Sequence, residues 1–309
     1  MNRRTWFGVT LAGVYAAATV RANQPGGGEG SIPRSHLIAP DAKLEEVARG
    51  FRFTEGPVAD KHGDIWFTDI PNNRIHRYSV AHNQTTVEYE NTGGANGLAF
   101  DRQGRLIACQ GTARQLVRYD GDGGITTLAD VYEGAQLNSP NDLVIDDQGG
   151  IYFTDPRYGN RDNMRMRIEG VYYLDRRGQL MRVIDDLQRP NGVMLSPGGE
   201  TLYVADEAAR RIYAYDVRAD GTLVNKRLFA NTGDNQPGGA DGLTVDERGN
   251  VYAACPNGII IWNTRGEHQT TIPVPGRPTN CTFGGLDGRE LFITAGGSLY
   301  RIKMTVAGR

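Results

Sequence analysis

From Glu55 onward the chain is a succession of short apolar runs, each alternating with polar residues and each closed by a turn rich in Asp and Gly. In "DIWFTDI", Ile65, Phe67 and Asp69 fall on one face of an extended segment, the period expected of a half-buried β-strand. Long stretches with helical periodicity are missing, so the pattern predicts an all-β protein. The runs also recur as a larger unit. "EGPVADKHGDIWFTDIPNNRIHRY" from Glu55, "NGLAFDRQGRLIACQGTARQLVRY" from Asn96 and "NDLVIDDQGGIYFTDPRYG" from Asn141 can be written under one another. So can "NGVMLSPGGETLYVADEAARRIYAY" from Asn191, "DGLTVDERGNVYAACPNGIIIW" from Asp241 and "NCTFGGLDGRELFITAGGSLYRI" from Asn280. Each copy has a polar anchor, a strand, an Asp/Gly turn, a second strand, a turn and a third strand. The anchors lie 41, 45, 50, 50 and 39 residues apart.

A period of roughly 40–50 residues with about four strands per unit is the signature of a β-propeller. Six copies predict a six-bladed β-propeller over residues 41–305. A four-stranded blade cannot bury its apolar face alone, so blades stack around an axis. "LEEVARG", residues 44–50, precedes the first anchor and is expected to close the ring against the blade of the last repeat. The innermost strand of each blade lines the central channel, so Glu55, Asn96, Asn141, Asn191, Asp241 and Asn280 should converge at one mouth. Two of them are carboxylates and four are amides. Such hard oxygen donors suit Ca²⁺ or Mg²⁺ better than a soft metal. Asn and Asp before Gly are also common turn formers, which is the competing explanation for a recurrent anchor. Glu55 has little turn preference and speaks against it. The Asp-x-x-Gly stretches "DRQG", "DDQG" and "DERG" are read as hairpin turns rather than metal loops.

Composition changes little in this picture. The chain has 309 residues and a net charge of -2, with no basic stripe, so nucleic acid is not an expected partner. Cys109, Cys255 and Cys281 are too few for a disulfide framework, although one bridge would be possible, and no Cys/His cluster suggests structural zinc. The absence of a G-x-S-x-G elbow argues against a triad esterase. Residues 1–22 have the basic start, apolar centre and small-residue site of a secretory signal peptide, and 23–40 read as a flexible linker. The expected product is exported, periplasmic or secreted, without stable membrane association after cleavage.

"FTEGPV", "SPNDLVIDDQGGIYFTDPRYG", "RPNGVMLSPGGETLYVAD" and "ADGLTVDERGNVYAA" occur in order, and with them the chain from about Val47 to Ile302 resembles the regucalcin/gluconolactonase superfamily, including luciferin-regenerating enzyme and diisopropylfluorophosphatase. The form of the motifs is nearest to the bacterial sugar lactonases. The resemblance implies a divalent cation, usually Ca²⁺ with Mg²⁺, Mn²⁺ or Zn²⁺ as alternatives, held by Glu55, Asn141, Asn191 and Asp241. It implies a lactone as small-molecule substrate, with Asp241 as general base and Glu55 or a cation-activated water as the alternatives. Asn96 and Asn280 are assigned to the pocket wall. Arg157 and Tyr158 are assigned to substrate contacts, and the polar stretch 159–170 reads either as a lid adding to them or as a solvated loop. Ser139 stands where animal members carry an Arg that holds the sugar. The expected function is an exported, metal-dependent lactonase of the gluconolactonase type that yields an aldonic acid. The alternatives are hydrolysis of another ester or a phosphotriester at the same site, and a non-catalytic propeller module with a structural metal.

Overall fold

The computed structural model describes residues 32–121, 123–233 and 238–309. The segment expected as a signal peptide, and residues 23–31 of the expected linker, lie outside the described residues. Six four-stranded antiparallel sheets and one two-stranded hairpin, Val131–Tyr132 with Ala135–Gln136, make up the described fold, and no α-helix occurs among the described residues. The innermost strands are Thr54–Ala59, Ala95–Phe100, Leu143–Ile145, Pro190–Leu195, Leu243–Val245 and Pro278–Gly284. Each touches the innermost strand of the next blade, and the first touches the last, so the six form a closed ring. This is the six-bladed β-propeller that the repeats predict.

Five blades are meanders of consecutive strands. The sixth has only three strands from its own repeat, Pro278–Gly284, Glu290–Ala295 and Ser298–Lys303. Its outer strand is Glu45–Arg49, which pairs antiparallel with Ser298–Lys303 in the register Glu45↔Arg301 and Arg49↔Ser298. Arg301 Nε donates to Glu45 Oε2 across this seam at 2.9 Å. The packed chain begins ahead of residue 41: Leu37 and Ile38 are buried against the sixth blade, and Ile38 bridges to Met304.

The alternating pattern implies half-buried strands, and the second strand of each blade departs from that. Leu106–Gln110, Ile151–Asp155 and Val251–Cys255 are buried at every position, and Thr68 is as buried as Phe67 and Asp69 on either side. The reason is packing: a neighbouring blade covers each face of the sheet. One cluster accordingly joins Tyr203 and Ala205 of the fourth blade to Leu243, Val251 and Trp262 of the fifth. All three cysteines are buried and unpaired.

The Asp-x-x-Gly stretches are hairpin turns. Asp146 Oδ1 accepts the amides of Gln148 and Gly150, both at 2.8 Å, and Gly149 takes a φ of 87° that favours glycine. A second aspartate device holds the anchors. At the end of the second strand, Asp69 accepts the backbone N–H groups of Arg52 and Phe53, Asp155 those of Asn138 and Ser139, and Asp206 those of Gln188 and Arg189. In each case the donors lie three and two residues before the anchors Glu55, Asn141 and Asn191. A buried carboxylate therefore fixes the loop that delivers each of these side chains.

Removing one such carboxylate strands two or more donors in a dry environment. Asp206→Ala should destabilise the protein by about 2–4 kcal/mol, the scale of lost charge-assisted hydrogen bonds plus unpaired amides. Urea denaturation of the two proteins measures the difference, and a change within about 0.5 kcal/mol, typical of surface substitutions, would rule the clamp out.

Candidate metal centre and active site

The anchors reach the channel mouth because the innermost strands are irregular there. The ladder slips between Glu55 and Val58, Ala95 and Leu98, Pro190 and Val193, and Pro278 and Asn280. Such bulges turn a side chain out of its regular direction. In the third and fifth blades the anchor precedes a shorter strand, and its amide bonds the neighbouring strand, Asn141 N to Thr154 O at 2.9 Å and Asp241 N to Ala254 O at 2.8 Å.

Four anchors are followed by glycine, and the cause is crowding at the axis. A β-carbon on Gly56 would lie 2.0 Å from the Asn96 carbonyl oxygen, and one on Gly97 2.7 Å from that of Asn141. On Gly192 it would lie 2.4 Å from the Asp241 carbonyl oxygen, and on Gly242 1.9 Å from the Asn280 side chain. Adjacent inner strands are hydrogen-bonded to one another here, as in Gly97 N to Asn141 O at 2.8 Å and Gly192 N to Asp241 O at 3.0 Å. The Asn-Gly and Asp-Gly pairs thus serve close backbone approach rather than hairpin turns.

Glu55, Asn96, Asn141, Asn191 and Asp241 line one cavity of about 870 Å³, together with Arg157 and Tyr158. Asn280 lies behind them and outside the cavity wall. Its amide hydrogen-bonds Glu55 and Asp142, while its Oδ1 accepts the Cys281 amide at 2.8 Å. Asp142 is the buried residue the sequence reading left without a role; it occupies the place where four other repeats have glycine. Tyr158 covers Asn191, whose Nδ2 donates to the Tyr158 hydroxyl at 2.7 Å, and the Arg189 guanidinium sits 5.3 Å from the tyrosine ring centre. Arg114 and Arg165 also reach the cavity wall, which nothing in the repeat pattern signals.

The electrostatics at the floor are one-sided. Burial raises the Glu55 pKa well above the ordinary glutamate value, and Asp241 and Asp142 raise it further. Burial is also the main cause that lifts Asp241 above its usual range, with Arg277 acting in the other direction. Asp142 is pushed up to about 7 by burial, against hydrogen bonds from Leu143, Val193 and Asn280. Among the described residues, none of these three carboxylates forms an ion pair with a lysine or arginine. The Asn141 side chain is buried and lines the cavity floor. Two buried carboxylates outside any direct ion pair, with amide side chains beside them in the same cavity, are a donor set that suits a hard divalent cation, and the residues fit one. No group of three or more His, Cys, Asp or Glu side chains suited to a metal occurs among the described residues, so the amide oxygens are essential to any such site.

Residues 53–297 match the sequence profile described as the SMP-30/Gluconolactonase/LRE-like region. A gluconolactonase of Zymomonas mobilis is 30% identical to this chain over 344 residues, covering 97% of this chain and 95% of its own length. A pentonolactonase of Haloferax volcanii is 27% identical over 259 residues, covering 80% and 82%. The solved structure of a gluconolactonase from Xanthomonas campestris superposes with a TM-score of 0.79 at 32% identity, over 87% of this chain and 91% of that one.

Raised carboxylates hold protons in the folded, metal-free protein that the unfolded chain has already released. The native state therefore binds more protons between about pH 4 and 7, and metal-free stability falls as pH rises through that window. A bound cation removes the cost of ionising them. The rise in melting temperature on adding Ca²⁺ to protein stripped with a chelator should be larger at pH 8 than at pH 5. Equal shifts at both pH values would dissociate cation binding from these side chains.

Proposed function

This chain belongs to the SMP-30/gluconolactonase/LRE-like family, and from that premise we propose that it is an exported hydrolase that opens a sugar lactone to its aldonic acid. Glu55, Asn141, Asn191 and Asp241 would hold a divalent cation, with Ca²⁺ as the first candidate. The observation that carries the proposal is the pair of buried carboxylates, Glu55 and Asp241, neither in a direct ion pair, on the floor of a cavity wide enough for a sugar. When bound, the cation would supply a Lewis acid that favours negative charge on the carbonyl oxygen.

The chain's own groups account for the proton. Asp241 is the general base: its carboxylate takes a proton from the attacking water as the water oxygen bonds to the carbonyl carbon. The bond from that carbon to the ring oxygen then breaks, and the proton passes to the departing oxygen as it becomes a hydroxyl. Burial raises the Asp241 pKa in the cation-free site, and a bound cation would act in the opposite direction, so its basicity in the loaded protein is the balance of the two. Asn191 fixes its orientation through a side-chain hydrogen bond. Tyr158 shields this corner from bulk water. Export rests on the pattern of residues 1–22 and belongs to the same proposal.

Proton release from D-glucono-1,5-lactone above the spontaneous rate, with and without Ca²⁺ on stripped protein, is the direct test. Ca²⁺-dependent release that disappears in Glu55→Gln is the expected result. Asp241→Asn should lower kcat on the order of 10²–10⁴-fold, the usual weight of a general base, while calorimetry still detects the cation. Full activity in that variant would remove Asp241 from the base role, and no release from any sugar lactone with any divalent cation would reject the lactonase assignment.

A further inference from the structure

The cavity is electrically polarised in a way that opening a neutral lactone does not use. Its floor is acidic, but one wall carries three guanidinium groups, those of Arg114, Arg157 and Arg165. Arg114 lies between the strands Leu106–Gln110 and Gln115–Tyr119 of the second blade, and the other two lie between Ile151–Asp155 and Gly170–Leu174 of the third. Arg114 is buried and adopts the left-handed conformation, with a φ of 61°, that a side chain seldom takes.

The partners of these groups are neutral. Both terminal nitrogens of Arg114 donate to the Asn163 carbonyl oxygen at 3.1 Å. Arg157 donates to the carbonyl oxygens of Asn160 and Asn138 and to Asn163 Oδ1. Arg165 is exposed and makes no side-chain hydrogen bond or ion pair within the described structure. Neutral acceptors satisfy N–H groups without cancelling their charge. The nearby carboxylates are committed elsewhere: Asp155 accepts the amides of Asn138 and Ser139, and Glu169 accepts from Arg161 and from the Arg157 amide. Arg114 is held below the usual arginine value by burial and by repulsion from Arg157 and Arg165, so the three guanidiniums act on one another. With a divalent cation against Glu55 and Asp241, the floor would no longer offset this wall.

Building on the lactonase proposal, we infer that Arg114, Arg157 and Arg165 form an anion subsite and that the substrate is a sugar lactone with a second, anionic substituent, a carboxylate or phosphate remote from its ring carbonyl. The charge of three guanidiniums suits either group, with the Arg165 fork the one not already engaged by a protein acceptor. The subsite would orient the lactone with its neutral ring carbonyl over the acidic floor.

The test compares three lactones on the Ca²⁺-loaded protein: D-glucono-1,5-lactone, its 6-phosphate, and the corresponding lactone with a carboxylate at carbon 6. The anionic pair should exceed the neutral lactone in kcat/KM by about tenfold or more, the scale of one charge-assisted hydrogen bond, and added salt should shrink the difference. Whichever of the two is preferred identifies the anion. Arg165→Gln should reduce the ratio towards one and Arg165→Glu should invert it; because Arg165 is exposed, neither change threatens the fold. Equal kcat/KM for all three lactones, or a ratio unmoved in both variants, overturns the subsite. If no lactone is hydrolysed, the lactonase proposal falls and the subsite is judged by calorimetry alone. D-glucuronate should then bind more tightly than D-glucose and lose that advantage in Arg165→Glu; equal binding refutes it.

Discussion

Contact between backbones at the propeller axis governs the site. The inner strands lie so close that the carbonyl of one anchor sits where the next blade's β-carbon would be, as Asp241 O does for Gly192. Backbone bonds from blade to blade, such as Gly242 N to Thr279 O at 2.8 Å, hold that spacing. In four blades the crowded strand bulges and turns the anchor side chain toward the mouth, and in the third and fifth the anchor instead precedes a shorter, regular strand. The glycines and, in four of the blades, the slipped registers both follow from this crowding. The third blade shows its limit: with Asp142 in place of glycine, a carboxylate enters the crowded interior and takes up the amide of Asn280.

That arrangement concentrates negative charge in a dry place, where each carboxylate raises the cost of ionising the others. The fold withstands it because the surrounding loops have little freedom. Asp69, Asp155 and Asp206 each tie down the two amides that lead into an anchor. The fifth blade ends its second strand in Cys255 instead, and the anchor there, Asp241, is held through its own amide and the Asn191 side chain. Repulsion at the floor is thus a local cost carried by rigidity around it, the usual bargain of a site prepared for a ligand.

Much of this was legible in the sequence, for reasons that can be stated. Repeats reveal a propeller because a blade cannot stand alone, and the anchors stood out because Glu55 breaks a pattern that turn chemistry would otherwise explain. Residues 44–50 were readable as the closing segment because they lie just ahead of the first anchor, outside any repeat. Double-sided burial of strands such as Ile151–Asp155 was not readable, since alternation describes one sheet and not what covers it. The meeting of Asp142 with Asn280 depends on the third and sixth blades facing each other across a ring of six, which spacing along the chain does not express. Arg165 escaped because its loop has no repeat counterpart, and Arg114 because it sits at a turn position shared with Asn73 and Arg210, all three with left-handed φ, where the repeat does not tell the direction of the side chain.

The pairing of Glu45–Arg49 with Ser298–Lys303 also sets the order of assembly. Glu45 and Arg301 are 256 residues apart, so the ring cannot be sealed until nearly the whole chain has been synthesised. Five blades can form from neighbours in sequence, whereas the sixth must wait for a strand from the other end, with the loop-closure entropy that such a distant contact carries. Until the two strands meet, Ser298–Lys303 is a bare sheet edge that can also accept the equivalent strand of another molecule when the chains are concentrated enough to compete with the tethered one. The same seam that makes one chain a closed ring would let two chains exchange their first strands at high concentration during refolding.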